Sequence, residues 1–172
     1  KLWTRDQARE AMTELCQYVD VCISNEEDAK DVFGIESENT DIYGGKLNKE
    51  GYKSVAKQLA DKFGFEKVAI TLRTSISASD NDWAGMLYDG ENYCFSKEYH
   101  LHIVDRVGGG DSFGGGLIYS LLSGKDTQSA IEFAILIKEI PPPGKIPSSN
   151  AALVAQEASS TRSFFSLTSI SV

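Results

Sequence analysis

Residues 105–116, DRVGGGDSFGGG, place six glycines around one carboxylate, that of Asp111. Glycine has no Cβ, so a glycine run lets backbone N–H groups turn toward a bound group and approach it closely. Converging N–H groups at the start of a helix usually bind an anion, often a phosphate. A carboxylate in such a place repels the anion, which indicates a chemical role for it. We interpret Asp111 as a base beside a phosphate cradle formed by Gly108, Gly109 and Gly110.

Two common phosphate-binding motifs do not fit this stretch. The dinucleotide fingerprint G-x-G-x-x-G fails because Phe113 stands where the third glycine belongs. The P-loop fails because Gly124 and Lys125 are followed by Asp126, with no glycine at the required upstream position. A packing turn explains residues 114–116, but it does not explain an acid preceded by three glycines. The failed fingerprint also disfavours a redox dinucleotide-binding domain.

The segments around the glycine stretch predict an α/β sheet with a β-hairpin at its edge, because strands alternate with helices along the chain. His100 and His102 fall on one predicted strand; we expect one to point inward and one outward, and we assign neither to a metal. The predicted elements are a helix from residue 5, strand 21–23, a helix that starts at a capping box over 24–27 and ends near 34, helix 50–63, strand 68–72, hairpin strands 83–88 and 92–95, strand 101–104, helix 112–122 and a helix after the Thr127 cap.

The position of the glycines favours a ligand site. In open α/β sheets, ligands bind outside the carboxyl ends of the strands. Residues 108–111 lie between a predicted strand ending at Val104 and a helix beginning near Ser112. The N–H groups there and the positive end of the helix would hold a transferring phosphoryl group. Asp111 would accept the proton of the attacking hydroxyl, and the rest of phosphoryl transfer is positioning and charge stabilisation.

Composition limits the function classes. The chain has 172 residues, 41% of them hydrophobic and 24% charged, which suits one domain, or a large part of one, with a sizeable core. Its net charge of −8 argues against a nucleic-acid partner, although a nucleotide needs only a local pocket. No apolar run is long enough for a membrane span and no signal peptide opens the chain, so we expect no membrane partner. Cys16, Cys22 and Cys94 have no metal-site spacing, and we interpret them as reduced, mostly buried thiols of a cytoplasmic protein.

The composition changes near residue 138. Three prolines at 141–143 end helical structure, and residues 148–172 are rich in Ser and Thr without a sustained period. We therefore expect a folded, catalytic part over residues 1–138 and an irregular tail over residues 139–172.

Residues 105–113, DRVGGGDSF, resemble the signature D-T-x-G-A-G-D-x-F of the ribokinase-like (PfkB) carbohydrate kinases, and within them the branch that acts on 2-keto-3-deoxy sugar acids. Three further segments match in order: residues 1–3, 24–28 and 68–73. The resemblance covers residues 1 to about 135. It implies a Rossmann-like, three-layer α/β fold with helices on both faces of the sheet, here incomplete because it matches the carboxy-terminal half of the family.

The resemblance also implies the chemistry, namely ATP-dependent phosphorylation of a sugar-acid hydroxyl with ATP and Mg²⁺ as cofactors. Asp111 becomes the catalytic base, and Gly108, Gly109 and Gly110 become the anion hole. No residue is assigned as a direct metal ligand. The remaining matched positions are assigned to cofactor binding: Asn25, Asp28, Thr71, Arg73 and Asp105.

Several of these positions also have a structural interpretation. Asn25 and Asp28 occupy the family's N-x-x-E motif, with Asp in place of Glu, but both also suit the start of a helix. Arg73 also suits a solvated side chain, and Asp105 suits a cap for the glycine turn.

Two departures from the family limit the activity expected of this chain. The family's amino-terminal half supplies the sugar-binding residues and a β-sheet lid, so a missing half or a second chain has to provide them. After residue 134 the family continues with an alanine-rich helix near the adenine, whereas this chain reaches three prolines. The alternative function is a non-catalytic nucleotide-binding or interaction domain that lacks the sugar-binding half.

Overall fold

A computed structural model describes residues 3–36, 49–77, 80–102, 108–137 and 164–166 of the chain. Within these ranges the α-helices are α1 (Arg5–Leu15), α2 (Glu26–Phe33), α3 (Lys49–Phe63), α4 (Gly109–Leu122) and α5 (Thr127–Leu136). The strands in the same ranges are β1 (Val21–Asn25), β2 (Lys67–Ser75), β3 (Asp80–Tyr88), β4 (Tyr93–Phe95), β5 (Tyr99–His102) and β6 (Phe164–Ser166). Each helix and strand predicted in these ranges is present, with its ends shifted by a few residues.

All six strands belong to one mixed sheet. The order is β4-β3-β2-β1-β6, and β5 pairs with β3 beside β4. Strands β1, β2 and β6 are parallel, β3 runs antiparallel to β2, and β5 runs antiparallel to β3. Strand β5 therefore runs in the same direction as β1 and β2. The carboxyl ends of these three strands consequently lie at one edge of the sheet, the edge where α/β proteins bind ligands.

Helices cover both faces of the sheet, as the predicted three-layer α/β fold requires. On one face, side chains of α1, α2 and α3 join alternate residues of the central strands, for example Leu59 with Ile70. On the other face, α4 and α5 pack against the intervening residues, for example Phe113 and Ile131 with Ile23. Because side chains alternate along a strand, a strand covered on both faces is apolar throughout. The buried run of residues 68–72, which is apolar except for Thr71, has this cause, and the predicted fold class is confirmed.

The first two helices begin and end at local sequence signals. Thr4 caps α1 in a reciprocal capping box with Gln7, as predicted. The box predicted over residues 24–27 is wrong by one position, because Ser24 still belongs to β1 and is fully buried. Asn25 caps α2 instead, through a 2.7 Å hydrogen bond that its Oδ1 accepts from the N–H of Asp28. Gly34 ends α2 in the left-handed conformation, with φ of 67°.

The two histidines of β5 lie on one face of the sheet, so the prediction that one points inward and one outward is wrong. Residues two apart on a strand share a face. Both imidazoles are exposed, and each is within 2.8 Å of a carboxylate on β3: His100 Nδ1 of Asp82 Oδ1, and His102 Nδ1 of Asp80 Oδ1. The hydrogen bond to His102 helps to hold the pKa of Asp80 below its usual value.

One strand lies within the segment expected to be an irregular tail. Residues 164–166 form β6, which pairs in parallel with Val21, Cys22 and Ile23 of β1. The expected irregularity is therefore wrong for these three residues, whose partner strand is distant in sequence and gives no local signal. The division at residue 138 stays a prediction, because the rest of 138–172 lies outside the described residues.

The three cysteines are unpaired, with Cys16 and Cys22 buried and Cys94 partly exposed, as the sequence predicts. Burial raises the pKa of the Cys16 thiol to about 11 and raises that of Cys22 further. These two thiols are therefore protonated at neutral pH and act as small apolar core side chains.

Candidate active site

The amino terminus of α4 is built from the glycine run. Gly108 is the N-cap residue, with φ of 79°, a left-handed conformation that favours glycine. Its carbonyl accepts the N–H of Ser112 at 2.9 Å, the first hydrogen bond of the helix. No side chain caps α4. The N–H groups of Gly109, Gly110 and Asp111 have no acceptor inside the helix, because the first turn of any helix leaves its donors free.

The helix begins earlier than the predicted start near Ser112. Gly109, Gly110 and Asp111 form its first turn. Glycine has a low helix propensity, so the sequence pattern predicts that the helix starts after the glycines. In the structure, the apolar contacts of Phe113 and Leu117 in the next turns hold the first turn in place. Asp111 is exposed in this turn, next to the positive end of the helix dipole.

The glycines that follow bring α4 close to its neighbours. A Cβ on Gly116 would lie 2.9 Å from Ile137 Cδ1 and 3.1 Å from the Cα of Ala134. A Cβ on Gly114 would lie 3.7 Å from Ile23 Cδ1. The packing role considered for this glycine group therefore holds at Gly116, which contacts α5 rather than the sheet. At Gly115 a Cβ would meet open space.

These contacts place the start of α4 at the carboxyl end of β1. Gly114 lies over Ile23, two residues before the end of β1, and α4 begins one turn earlier. Asn25, the last residue of β1, pairs in register with Thr71 of β2. Asn25 and Thr71 are thus paired at the carboxyl end of β1, and the helix that begins after Gly108 approaches Ile23 of the same strand through Gly114.

Asp28 lies in the first turn of α2, where its carboxyl is partly buried. Burial, together with the negative charges of Glu27 and Asp31, raises the pKa of this carboxyl from 3.8 to about 6. A hydrogen bond from the backbone of Asn25 to this carboxyl acts in the opposite direction and lowers its pKa. The Oδ2 atom of Asp28 is buried and has no hydrogen-bond partner. A buried carboxylate oxygen without a partner favours the approach of a proton or a cation.

Thr71 and Arg73 lie on the α4 face of β2, two residues apart. Their side chains share the face of Trp83, which pairs in register with Arg73 and packs into the α4–α5 core. Thr71 is buried, whereas Arg73 is exposed. The Arg73 guanidinium donates to Ser75 Oγ, from Nη2 at 3.2 Å and from Nε at 3.4 Å. Arg73 is therefore exposed to solvent, and its guanidinium is also hydrogen-bonded to Ser75.

Asp105 lies outside the described residues, as do residues 103–107 in general. Its assignment to cofactor binding stays a prediction. Within the described ranges, no group of three or more His, Cys, Asp and Glu side chains forms a candidate metal centre. In the same ranges no helix has the length and apolar character needed to span a membrane.

Sequence reasoning missed two polar residues beside Arg73. Ser75 and Asn81 pair in register across β2 and β3, and Ser75 Oγ donates to Asn81 Oδ1 at 3.1 Å. Asn81 is fully buried. The sequence does contain a signal for Asn81: it is a polar residue at a strand position whose side chain, by the alternation along the strand, points into the core.

The fold and the site together define a family. Residues 1–137 match the family described as pfkB family carbohydrate kinase. This chain belongs to that family.

Among solved structures, the chain is similar to 2-dehydro-3-deoxygluconokinase from Thermotoga maritima. The two are 41% identical with a TM-score of 0.75, over 90% of this chain and 46% of that chain. A PfkB family carbohydrate kinase from Listeria grayi is 30% identical with a TM-score of 0.67, over 90% of this chain and 47% of that one. Among curated proteins, 2-dehydro-3-deoxygalactonokinase from Haloferax volcanii is 25% identical over 133 residues, or 77% of this chain and 35% of that protein. The chain thus spans less than half the length of these relatives.

Proposed function

We propose that this chain is the catalytic and nucleotide-binding part of an ATP-dependent kinase that phosphorylates a hydroxyl of a 2-keto-3-deoxy sugar acid. The observation that carries the proposal is the start of α4, where Gly108 adopts a left-handed conformation and Asp111 lies exposed in a first turn with free N–H donors. Family membership and relatives named as kinases of such acids support it.

In the proposed reaction, the Asp111 carboxylate accepts the proton of the sugar hydroxyl. The hydroxyl oxygen then forms a bond to the γ-phosphorus of ATP as the bond to the β-phosphate oxygen breaks, and ADP leaves. The N–H groups of Gly109, Gly110 and Asp111 stabilise the charge on the transferred phosphoryl group. General-base catalysis contributes about 10²–10⁴-fold, and one well-placed donor about 2.7–4 kcal/mol of transition-state stabilisation.

Exposure of Asp111 suits this role. A base needs access to the hydroxyl whose proton it accepts, and Asp111 lies exposed in the first turn of α4. Repulsion between the carboxylate and the phosphates is the cost of the arrangement. We therefore expect Asp111→Asn to bind ATP at least as tightly as the unaltered chain, while it loses the base.

The residues at this edge of the sheet also fit Mg²⁺ with the nucleotide. Asp28 has a buried oxygen without a partner and a raised pKa, as expected of a carboxylate that pairs with a cation when ligand is bound. Mg²⁺, when bound, neutralises charge on the phosphates. We propose that Asn25 and Asp28 orient the hydrated ion, that Thr71 and Arg73 contact the phosphates, and that Asp105 completes the group.

The sugar acid itself requires residues beyond this half of the fold. We propose that an amino-terminal half, in the same protein or in a second chain, provides them. The second candidate function is a nucleotide-binding domain without catalysis. The two functions share the nucleotide site and differ in turnover.

Protection against thermal unfolding tests the nucleotide site. At 100 times its Kd, ATP with Mg²⁺ should add about 2.7 kcal/mol to the free energy of unfolding. Adenosine at the same concentration should add much less, because it lacks the phosphates. Asp111→Asn should be protected by ATP to the same or a greater extent. Equal protection by adenosine and ATP, or none by either, would overturn the proposed phosphate cradle.

A further inference from the structure

Beyond the end of β1, strands β2 and β3 continue as a polar ribbon. Asn25 ends β1 opposite Thr71, and β2 extends four residues further, to Ser75. On the α4 face of this extension, Arg73, Ser75 and Asn81 form a chain of hydrogen bonds. This series of hydrogen bonds starts at the exposed guanidinium of Arg73 and ends at the fully buried amide of Asn81.

The direction of the hydrogen bonds is consistent along this chain. Ser75 donates its hydroxyl proton to Asn81 Oδ1, and its lone pairs accept from Nη2 and Nε of Arg73. A hydroxyl whose proton is committed elsewhere is a better acceptor, because successive hydrogen bonds polarise one another. This series of hydrogen bonds therefore occupies two N–H donors of the Arg73 guanidinium and leaves its other donors for a ligand.

Asn81 is costly as a packing residue. Its side chain is fully buried, and its Nδ2 atom has no hydrogen-bond partner. An apolar side chain of similar size would bury no orphan donor at this position. The Oδ1 atom of the Asn81 amide does have a role, because it accepts the hydrogen bond of the Ser75 hydroxyl and so fixes the direction of that hydroxyl.

We infer that Ser75 and Asn81 are positioning residues that hold the Arg73 guanidinium ready for a nucleotide phosphate. The inference rests on the proposed function, in which Arg73 contacts the phosphates of ATP. Holding a long side chain in place before binding removes the entropy cost of ordering it at binding. Neither residue touches the ligand; both act through Arg73.

Calorimetric titration of the full chain with ATP and Mg²⁺ separates the inference from the function on which it rests. Arg73→Ala should weaken ATP binding about tenfold or more, since it removes charged hydrogen bonds. Ser75→Ala should weaken it about three- to tenfold by loosening Arg73. Ser75→Thr keeps the hydroxyl on a strand that favours β-branched residues, and should restore the affinity. Binding of adenosine should be unchanged in all three variants.

The matched control is Ser77→Ala. Ser77 is an exposed serine two residues after the end of β2, and its hydroxyl is hydrogen-bonded to Asp80. This variant should bind ATP like the unaltered chain. A merely structural role for Ser75 would lower ATP and adenosine binding together, and that result would overturn the inference.

The remaining outcomes are distinct. If Arg73→Ala weakens ATP binding but Ser75→Ala does not, or if Ser75→Thr fails to restore it, the positioning role is wrong and the proposed function stands. If Arg73→Ala leaves ATP binding unchanged, the phosphate role of Arg73 is wrong and the inference fails with it. If the unaltered chain binds no ATP, the proposed nucleotide site is itself wrong.

Discussion

At the scale of single residues, the partly buried carboxyl of Asp28 leads to a prediction about the free energy of unfolding that is independent of any ligand. Its pKa is raised from 3.8 to about 6, chiefly by burial, so its ionised form destabilises the fold. The penalty is absent below about pH 4, grows as the pH rises to 6 and is complete above that. After allowance for partial exposure, Asp28→Asn should raise the free energy of unfolding by about 1–2 kcal/mol at pH 7.5, with a smaller gain at pH 5.

Urea unfolding at the two pH values measures this effect. Glu91→Gln is the control for removal of a carboxyl charge, because Glu91 is an exposed carboxyl beside the β3–β4 turn. An Asp28→Asn variant no more stable than the unaltered chain at pH 7.5 would contradict the account. The same variant should bind Mg²⁺ and ATP more weakly, which tests the proposed role of Asp28 separately.

Asn25 combines a structural role with a proposed one, and two variants separate them. The Asn25 side chain caps α2. Asn25→Ala should cost about 1 kcal/mol of stability, whereas Asn25→Ser keeps a capping oxygen and should cost only a few tenths. Chemical denaturation measures both. Affinity for ATP with Mg²⁺ should fall in both variants if Asn25 serves the ligand; a fall in the alanine variant alone would reduce its role to that of a cap.

At the scale of elements, neighbouring glycines of α4 differ in what they do. Gly116→Ala places a methyl group against Ala134 and Ile137 of the α5 region, and should destabilise the fold by about 1–2 kcal/mol. Gly115→Ala points into open space, and should stabilise it by about 0.5–1 kcal/mol through helix propensity. Thermal unfolding of the two variants should therefore shift in opposite directions. Equal shifts would mean that α4 and α5 are not in close contact.

Most elements of this fold follow from local patterns. The capping box of α1, the glycine that ends α2 and the apolar run of β2 each have a cause within a few residues of sequence, and each was predictable. The start of α4 was not, because glycine propensity opposes a helix that tertiary contacts stabilise. The pairing of β6 with β1 joins Val21 to Phe164, 143 positions apart in the chain, and no local pattern specifies it.

In the candidate site, too, some features follow from local sequence patterns and others depend on tertiary contacts. The glycine run with its single acid carries a signal in residue types alone, and the structure places it at the start of α4. The chain from Arg73 through Ser75 to Asn81 depends on the register of β2 against β3, which a sequence pattern does not specify. The paired faces of His100 and His102 were predictable from strand alternation, and the error was one of reasoning rather than of missing information.

At the scale of the whole molecule, the chain is a half-length relative with its own two-sided core. Helices cover both faces of the sheet, and each face has a continuous apolar cluster. A half that buries its own core can hold the start of α4 and the ends of β1 and β2 in a fixed arrangement. We therefore propose that the amino-terminal half adds the sugar pocket to a nucleotide site that is already formed.

The most direct test of the account is turnover of ATP with Mg²⁺ and 2-keto-3-deoxygluconate, measured for the unaltered sequence and for Asp111→Asn. Each sequence is assayed alone and fused to the amino-terminal half of the Thermotoga maritima relative, which is 41% identical over the shared part. We predict turnover that depends on the sugar acid in the unaltered fusion, and a loss of about 10²-fold or more in Asp111→Asn. Turnover that Asp111→Asn retains in full, or an unaltered fusion that binds ATP without turnover, would contradict the catalytic role of Asp111.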